Sequence, residues 1–255
     1  MPDAVVVIPA RWASSRFPGK VLAPLDGRAL VLRACDLAAR ARRPAAVIVA
    51  TDDERVAAAV GGAGYRCEPT RADHPSGTDR IAEVAARLAA EVVVGLQADE
   101  PFLAPEDLDA MIAALDDPGT RLATLAAPLA DAASFRDPNV VKVVLDGAGR
   151  ALYFSRSPIP YPRPPGGALP FPPGAPHPAT ALRHVGVYAW QRESLLAFAG
   201  LSPSPLERAE GLEQLRALEA GWTIRVLPAH GDPAGIDTPE DLRRAELRLA
   251  RERTR

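Results

Sequence analysis

Three short runs of this chain are apolar at almost every position: VVVI at residues 5–8, AAVIVA at 45–50 and EVVVGL at 91–96. A strand without polar alternation has no face to give to water, so both of its faces must be covered. That is the situation of a parallel sheet with helices on each side. Segments with helical spacing separate the runs. Residues 54–60 follow Asp52 and Asp53, either of which can cap a helix. Residues 78–90 put Ile81, Val84, Ala85 and Leu88 on one face, and 105–115 is again helical. Further strands are expected at 65–68 and 121–127. The alternation predicts an α/β fold. After Pro128 the pattern changes. Residues 140–145 and 150–154 read as a β-hairpin about the turn 146–149. An extended segment at 183–190, a helix at 204–220 and a last strand at 223–227 follow. A terminal helix at 238–251 starts with Thr238 as cap and Pro239 in its first position. Ten prolines between residues 158 and 178 exclude a central strand or helix and predict a surface loop, partly polyproline.

Composition narrows the class. At 255 residues the chain can bury a full core. A net charge of −2 argues against a nucleic-acid or membrane-surface role. Two cysteines, Cys35 and Cys67, give no disulfide framework and point to a reducing cytosol. The start of the chain has no signal-like segment, and no apolar run is long enough to span a bilayer. A cytoplasmic enzyme is expected.

Ligands in open α/β sheets bind beyond the carboxyl ends of the strands, so the ends of the apolar runs carry the candidate chemistry. The first run stops at Pro9, which cannot donate to a sheet ladder. It opens into a loop with Arg11, Arg16 and Lys20 among Ala13, Ser14, Ser15 and Gly19. Three cations among small residues suit a triphosphate, and the alternative is a solvated basic turn. The run at 91–96 ends at Gln97-Ala98-Asp99-Glu100-Pro101. A carboxylate facing cations and phosphates suits Mg²⁺, which takes one or two carboxylates plus phosphate oxygens. A helix cap before Pro101 competes with that reading. Asp237 stands in GIDTPED, where Thr238 and Pro239 already explain a helix start. Taken alone, Asp237 reads sooner as a cap than as a ligand.

Residues 71–80 (RADHPSGTDR) enter a helix with caps and free N–H groups suited to a base or an anion, or to capping alone. Arg156 follows a strand-like segment, and His184 begins RHVGVYAW beside other polar candidates. Glu207, Glu210 and Gln214 share one face of the expected 204–220 helix, with Glu213 near its edge. Like charges so spaced weaken a helix slightly and suggest a cationic or hydroxyl-rich neighbour. A solvated acidic face is the plain alternative.

Taken in order, IPARWASSRFPGK, VATDDERV, TRADHPSGTDR, LQADEP, NVVKVVLD, LYFSRSPIP, RHVGVYAW, SPLERAEGLEQLR and GIDTPEDL span essentially the whole chain. The set resembles the 3-deoxy-manno-octulosonate (Kdo) cytidylyltransferases. That resemblance implies a nucleotide-diphosphosugar transferase-like three-layer α/β/α sandwich with a mixed, mostly parallel sheet. It implies a single domain over the chain, with a smaller β-containing dimerisation subregion at about 128–190. The implied reaction is CTP plus Kdo giving CMP-Kdo and pyrophosphate, with Mg²⁺, for lipopolysaccharide biosynthesis. The implied enzyme is a cytoplasmic homodimer that binds neither nucleic acid nor membrane.

By the same resemblance Arg11, Arg16 and Lys20 contact the triphosphate. Arg71, Ser76 and Gln97, with the backbone of Pro9 and Ala10, form the cytidine pocket. Asp99 and Asp237 hold the metal, which reverses the reading of Asp237 from residues alone, and Lys20, Asp99 and Asp237 are catalytic. Arg156, His184, Tyr188, Glu213 and Gln214 form the sugar-acid site, with Arg156 as carboxylate partner. The family usually has Asn and Gly where this chain has Leu96 and Ala98. Leu96 removes a polar side chain, and Ala98 strains the loop if its position needs a positive φ. The proline-rich segment, more polar in the family, is expected to be a flap beside the sugar-acid site.

Overall fold

All six residues of β1 (Ala4–Pro9) are buried, and alternate side chains reach opposite layers. Val6 and Ile8 pack with Ala34, Leu108 and Met111, whereas Val5 and Val7 pack with Ile81, Val84 and Phe198. Each such side chain contributes about 1.5–3 kcal/mol by leaving water. The structure is a computed structural model that describes residues 3–13, 17–129, 131–161 and 181–253. Arg16 and most of the proline-rich segment lie outside the described residues, so the expectations placed on them do too.

A 3₁₀ turn (Lys20–Leu22) and the short β2 (Pro24–Leu25) and β3 (Arg28–Ala29) lead into α1 (Leu30–Ala38). The alternation continues through β4 (Pro44–Thr51), α2 (Glu54–Gly62), β5 (Arg66–Pro69), α3 (Gly77–Ala85), β6 (Val92–Gly95), α4 (Pro105–Ala114) and β7 (Leu122–Pro128). Then come α5 (Ala132–Arg136), the hairpin β8 (Lys142–Leu145) and β9 (Ala151–Ser155), β10 (Leu182–Gln191) and α6 (Arg192–Ala199). The short α7 (Pro205–Glu210) and α8 (Gln214–Glu219), β11 (Ile224–Pro228) and α9 (Pro239–Arg253) close the described chain.

Among the described residues the sheet runs β11-β7-β10-β6-β1-β4-β5, with the β8–β9 hairpin attached at β10. β1 pairs in parallel with β4 and β6, β4 with β5, and β7 with β11. Only β10 opposes its neighbours β6 and β7 on this path. The sheet is therefore mixed and mostly parallel, as anticipated. The reversal of β10 matters for the site. Tyr188 stands opposite Gly95 at the end of β6, so the half of β10 that carries His184 runs on beyond the carboxyl end of β6.

Two helix expectations are corrected. The helix expected at 78–90 ends at Ala85. The helix expected at 204–220 is broken into α7 and α8, because Gly211 takes φ 62°, a turn that a residue without a side chain adopts at little cost. The shared acidic face therefore does not exist. Glu207 completes a capping box with Ser204 and binds Arg216, while Glu210 turns towards Ser155. Ala98 is unstrained: among the described residues Asp26 is the only non-glycine with a positive φ. Both cysteines are free, and no helix among the described residues is long and apolar enough to cross a membrane.

Candidate active site

The carboxyl ends of β1 and β6 open into a cavity of about 230 Å³ whose wall includes Pro9, Arg11, Lys20, Ser76, Gln97 and Asp99. One side of the cavity, the one expected to take phosphates, is built on the loop after β1. The Trp12 carbonyl accepts the Gly19 N–H at 3.2 Å and closes the base of that loop. Gly19 has φ 70°, and a Cβ there would stand 2.9 Å from the Trp12 ring, so only glycine fits under the indole. The Arg55 guanidinium covers the same ring at 3.5 Å and is itself held by Asp53, the cap of α2. Lys20 follows directly from this stacked base.

Lys20 donates to Asp99 and, at 3.1 Å, to Asp237. Its side chain is 12% exposed. Burial alone would lower the ammonium pKa, but the two carboxylates outweigh it and hold the pKa above the ordinary lysine value. Asp237 reaches Lys20 from the residue before Thr238, the cap of α9. The Asp241 carboxylate accepts the N–H groups of Asp237 and Thr238, and Thr238 Oγ1 caps α9 by accepting the Asp241 N–H. The capping reading of Asp237 is thus corrected. The Ile236 N–H donates to the Asp99 carbonyl at 2.9 Å, which ties the two carboxylate loops together. Arg183 steadies the approach, donating to Asp232 and to the Pro233 carbonyl, each at 2.6 Å.

Two carboxylates converging on one cation, beside Arg11 and a helix N-terminus, fit a divalent metal shared with phosphates. Among the described residues no group of three or more His, Cys, Asp or Glu side chains forms a metal cage, so the remaining ligands would come from substrate and water. The neighbouring Glu100 does not add a third charge. Burial, aided by Asp99, pushes its carboxyl up to about 8, and its buried Oε2 has no hydrogen-bond partner among the described residues.

The wall expected to take the base includes Ser76, Gly77, Gln97 and Ala98. Ser76 both lines it and caps α3, accepting the Asp79 N–H at 3.1 Å. Sequence reasoning missed Arg80, which is 3% exposed, lines the same wall and pairs with Asp52 at 3.1 Å. Two expected contributors are not brought to this wall. Arg71 is 68% exposed, pairs with Asp73 and borders a separate depression beyond His74. Ala10 is fully buried; its N–H donates to the Ala50 carbonyl and its own carbonyl accepts from Thr51 Oγ1.

Of the residues expected for the sugar acid, Glu213 and Gln214 stand at the start of α8. Thr78, next to Gly77 of the cavity wall, donates to Glu213 at 2.7 Å. Burial, with Glu213 adding to it, pushes the Tyr188 phenol well above its usual range. Tyr188 and His184 have ring centroids 5.5 Å apart. Gln214 is buried, and its Nε2 has no hydrogen-bond partner among the described residues. An enclosed amide donor without an acceptor costs about 1–3 kcal/mol, a cost that a bound hydroxyl or carboxylate would remove.

His184 bonds Thr124 Oγ1 at 3.0 Å, and that hydroxyl directs its own proton to the Val187 carbonyl at 2.7 Å. Nε2 is therefore the donor and Nδ1 the acceptor in a neutral ring. Thr124 was missed in the sequence, its only signal being one hydroxyl inside an apolar strand. Burial lowers the His184 pKa to about 3. Its native pKa lies below the unfolded value near 6.5, so between the two the unfolded chain takes up a proton that the native chain refuses. Stability must fall as pH drops through that window, by up to about 1.4 kcal/mol per pH unit. Denaturant unfolding between about pH 4 and 7 should show this slope reduced in His184→Gln, which keeps a donor for Thr124. An unchanged slope would show that the imidazole is not the group responsible.

The Arg156 guanidinium is not the open cation expected. Its Nε donates to the Glu210 carbonyl at 2.7 Å, Nη1 to Pro138 at 2.9 Å and Nη2 to Gly211 at 3.4 Å. A guanidinium has five N–H groups, so two are left unused by these bonds among the described residues.

Comparison with known proteins agrees with this geometry. The family model described as "Cytidylyltransferase" matches residues 5–224. A 3-deoxy-manno-octulosonate cytidylyltransferase of Syntrophotalea carbinolica is 50% identical over 246 residues, 95% of this chain and 97% of that protein. The enzyme of the same name from Geobacter sulfurreducens is 48% identical over 248 residues, 97% of this chain and 99% of that one. A solved structure of CMP:2-keto-3-deoxy-manno-octonic acid synthetase complexed with CTP superposes with a TM-score of 0.89 at 41% identity, covering 98% and 99% of the two chains. Matched by that family model over most of its length and by such relatives over nearly all of it, this chain belongs to the cytidylyltransferase family.

Proposed function

We propose that the protein is a Kdo cytidylyltransferase, which converts CTP and Kdo to CMP-Kdo and pyrophosphate for lipopolysaccharide synthesis in the cytoplasm. The observation that carries the reading is Lys20, held between Asp99 and Asp237 at a cavity that Arg11, Ser76 and Gln97 also line. In the reaction the anomeric hydroxyl oxygen of Kdo bonds to the α-phosphorus of CTP. The bond from that phosphorus to the pyrophosphate oxygen breaks, and the hydroxyl proton passes to solvent. Such transfers depend on positioning and charge neutralisation more than on covalent help.

Lys20 is assigned to the α-phosphate, and Arg11 and Arg16 to the departing pyrophosphate. Asp99 and Asp237 are assigned to Mg²⁺, which when bound supplies positive charge at the phosphate oxygens. Ser76 and Gln97 with Pro9 are kept as the base-side set, and Arg71, which stands outside the cavity lining, is not. No side chain is assigned as general base. The sugar is assigned to Arg156, His184, Tyr188, Glu213 and Gln214, with the unpartnered Gln214 amide as its support. Assembly as a homodimer through the region at about 128–190 belongs to the same reading.

The test is pyrophosphate release with each of the four nucleoside triphosphates against Kdo and N-acetylneuraminate. CTP with Kdo should exceed every other pair by about 100-fold or more, because a site built to bond hydroxyls leaves buried polar groups unpaired with a poor fit. Comparable turnover with N-acetylneuraminate would replace Kdo by the broader class of acidic sugars.

A further inference from the structure

The motif NVVKVVLD has no part in the chemistry above, yet its lysine is fully buried. Lys142 Nζ donates to three main-chain carbonyls: Val140 at 2.6 Å, Arg156 at 2.6 Å and Asp137 at 2.9 Å. Three carbonyl acceptors use all three N–H groups of an ammonium, which favours the charged form against the burial that lowers its pKa. Lys142 is a holder and not a base. Burying a charge purely for stability is a poor solution, since an apolar side chain of similar size avoids the desolvation cost.

What the ammonium holds is the peptide of Arg156. On the other side of that residue, the Arg156 main-chain N–H donates to Glu210 Oε2 at 2.9 Å, and the second Glu210 oxygen accepts from Ser155 Oγ at 2.6 Å. The carbonyl of residue 156 is thus gripped by a cation and its amide by an anion. The guanidinium beyond reaches the Pro138 carbonyl, next to the Asp137 carbonyl that Lys142 holds. Strand β8, the end of β9 and the α7–α8 corner therefore meet at one residue.

We propose that Lys142 and Glu210 are positioning residues of the sugar site, which fix the backbone of Arg156 and so aim its guanidinium at the carboxylate of the acidic sugar. The proposal rests on the assignment of Arg156 to the sugar given above. Steady-state kinetics of Lys142→Met, Glu210→Ala and the control Arg156→Ala test it. Lys142→Met and Glu210→Ala should each raise KM for Kdo about tenfold or more while KM for CTP stays within about twofold. A purely structural role would lower Tm without separating the two constants. If Lys142→Met does not fold, Glu210→Ala decides alone. Folded variants whose KM for Kdo is unchanged, or whose two KM values rise together, overturn the positioning role while a raised KM in Arg156→Ala leaves the sugar assignment standing. A normal KM for Kdo in Arg156→Ala overturns the sugar assignment and the positioning role with it.

Discussion

Asp99→Asn is expected to lower kcat by about 10²–10³-fold at saturating magnesium while the fold is kept. Asparagine preserves shape and one acceptor but removes the charge that faces Lys20. Asp99 and Asp237 are 25% and 52% exposed, so losing the pair costs the native state at most about 1 kcal/mol. The loss should therefore fall on the rate and not on Tm. A second readout follows from Lys20. Its pKa stands above the ordinary value only because the carboxylates outweigh burial. In the metal-free enzyme, with one carboxylate neutral, the lysine should lose its proton more easily, which an NMR titration of Lys20 reads directly. Asp237→Asn is expected to behave alike. Wild-type turnover in either variant at saturating magnesium would remove the carboxylate pair from the chemistry.

The parts of this molecule that were legible in the sequence are those whose physics is local. The run at 5–8 announced a strand buried on both faces, and β1 sends alternate side chains into both layers. Asp53 and Ser76 were readable as caps because capping depends on residues within three positions. The 204–220 helix failed because Gly211 sits within a strong helical pattern, and only the tertiary path asks it for a positive φ. Asp237 misled for a different reason. Its neighbours Thr238 and Asp241 satisfy the helix end by themselves, which frees it for a partner 217 residues away. Lys142 was illegible as a functional residue because its partners are main-chain carbonyls, which leave no mark in the sequence. Resemblance supplied candidate site residues where local physics could not, and of these Arg71 and Ala10 stand outside the lining of the described cavity.

Arg156→Ala is expected to lower kcat/KM for Kdo by about 10²–10³-fold and to leave KM for CTP nearly unchanged. A charged, forked pair of hydrogen bonds to a carboxylate accounts for about 1.5–3 kcal/mol per bond, enough for that loss. The structure adds a cost that the sequence did not suggest. The guanidinium already bonds the carbonyls of Pro138, Glu210 and Gly211, so alanine also frees three acceptors near the α7–α8 corner. A lowered Tm should accompany the kinetic loss, and Arg156→Lys separates the two effects. Lysine keeps one positive charge but cannot reproduce the fork. It should recover part of the Tm and little of the Kdo turnover if the two remaining N–H groups face the substrate. If the lysine variant restores Kdo use together with Tm, then Arg156 serves the corner and not the sugar. Isothermal titration with CTP gives the independent check. The cavity assigned to the nucleotide is lined by Lys20, Ser76, Gln97 and Asp99 and not by Arg156, so CTP affinity should survive both substitutions.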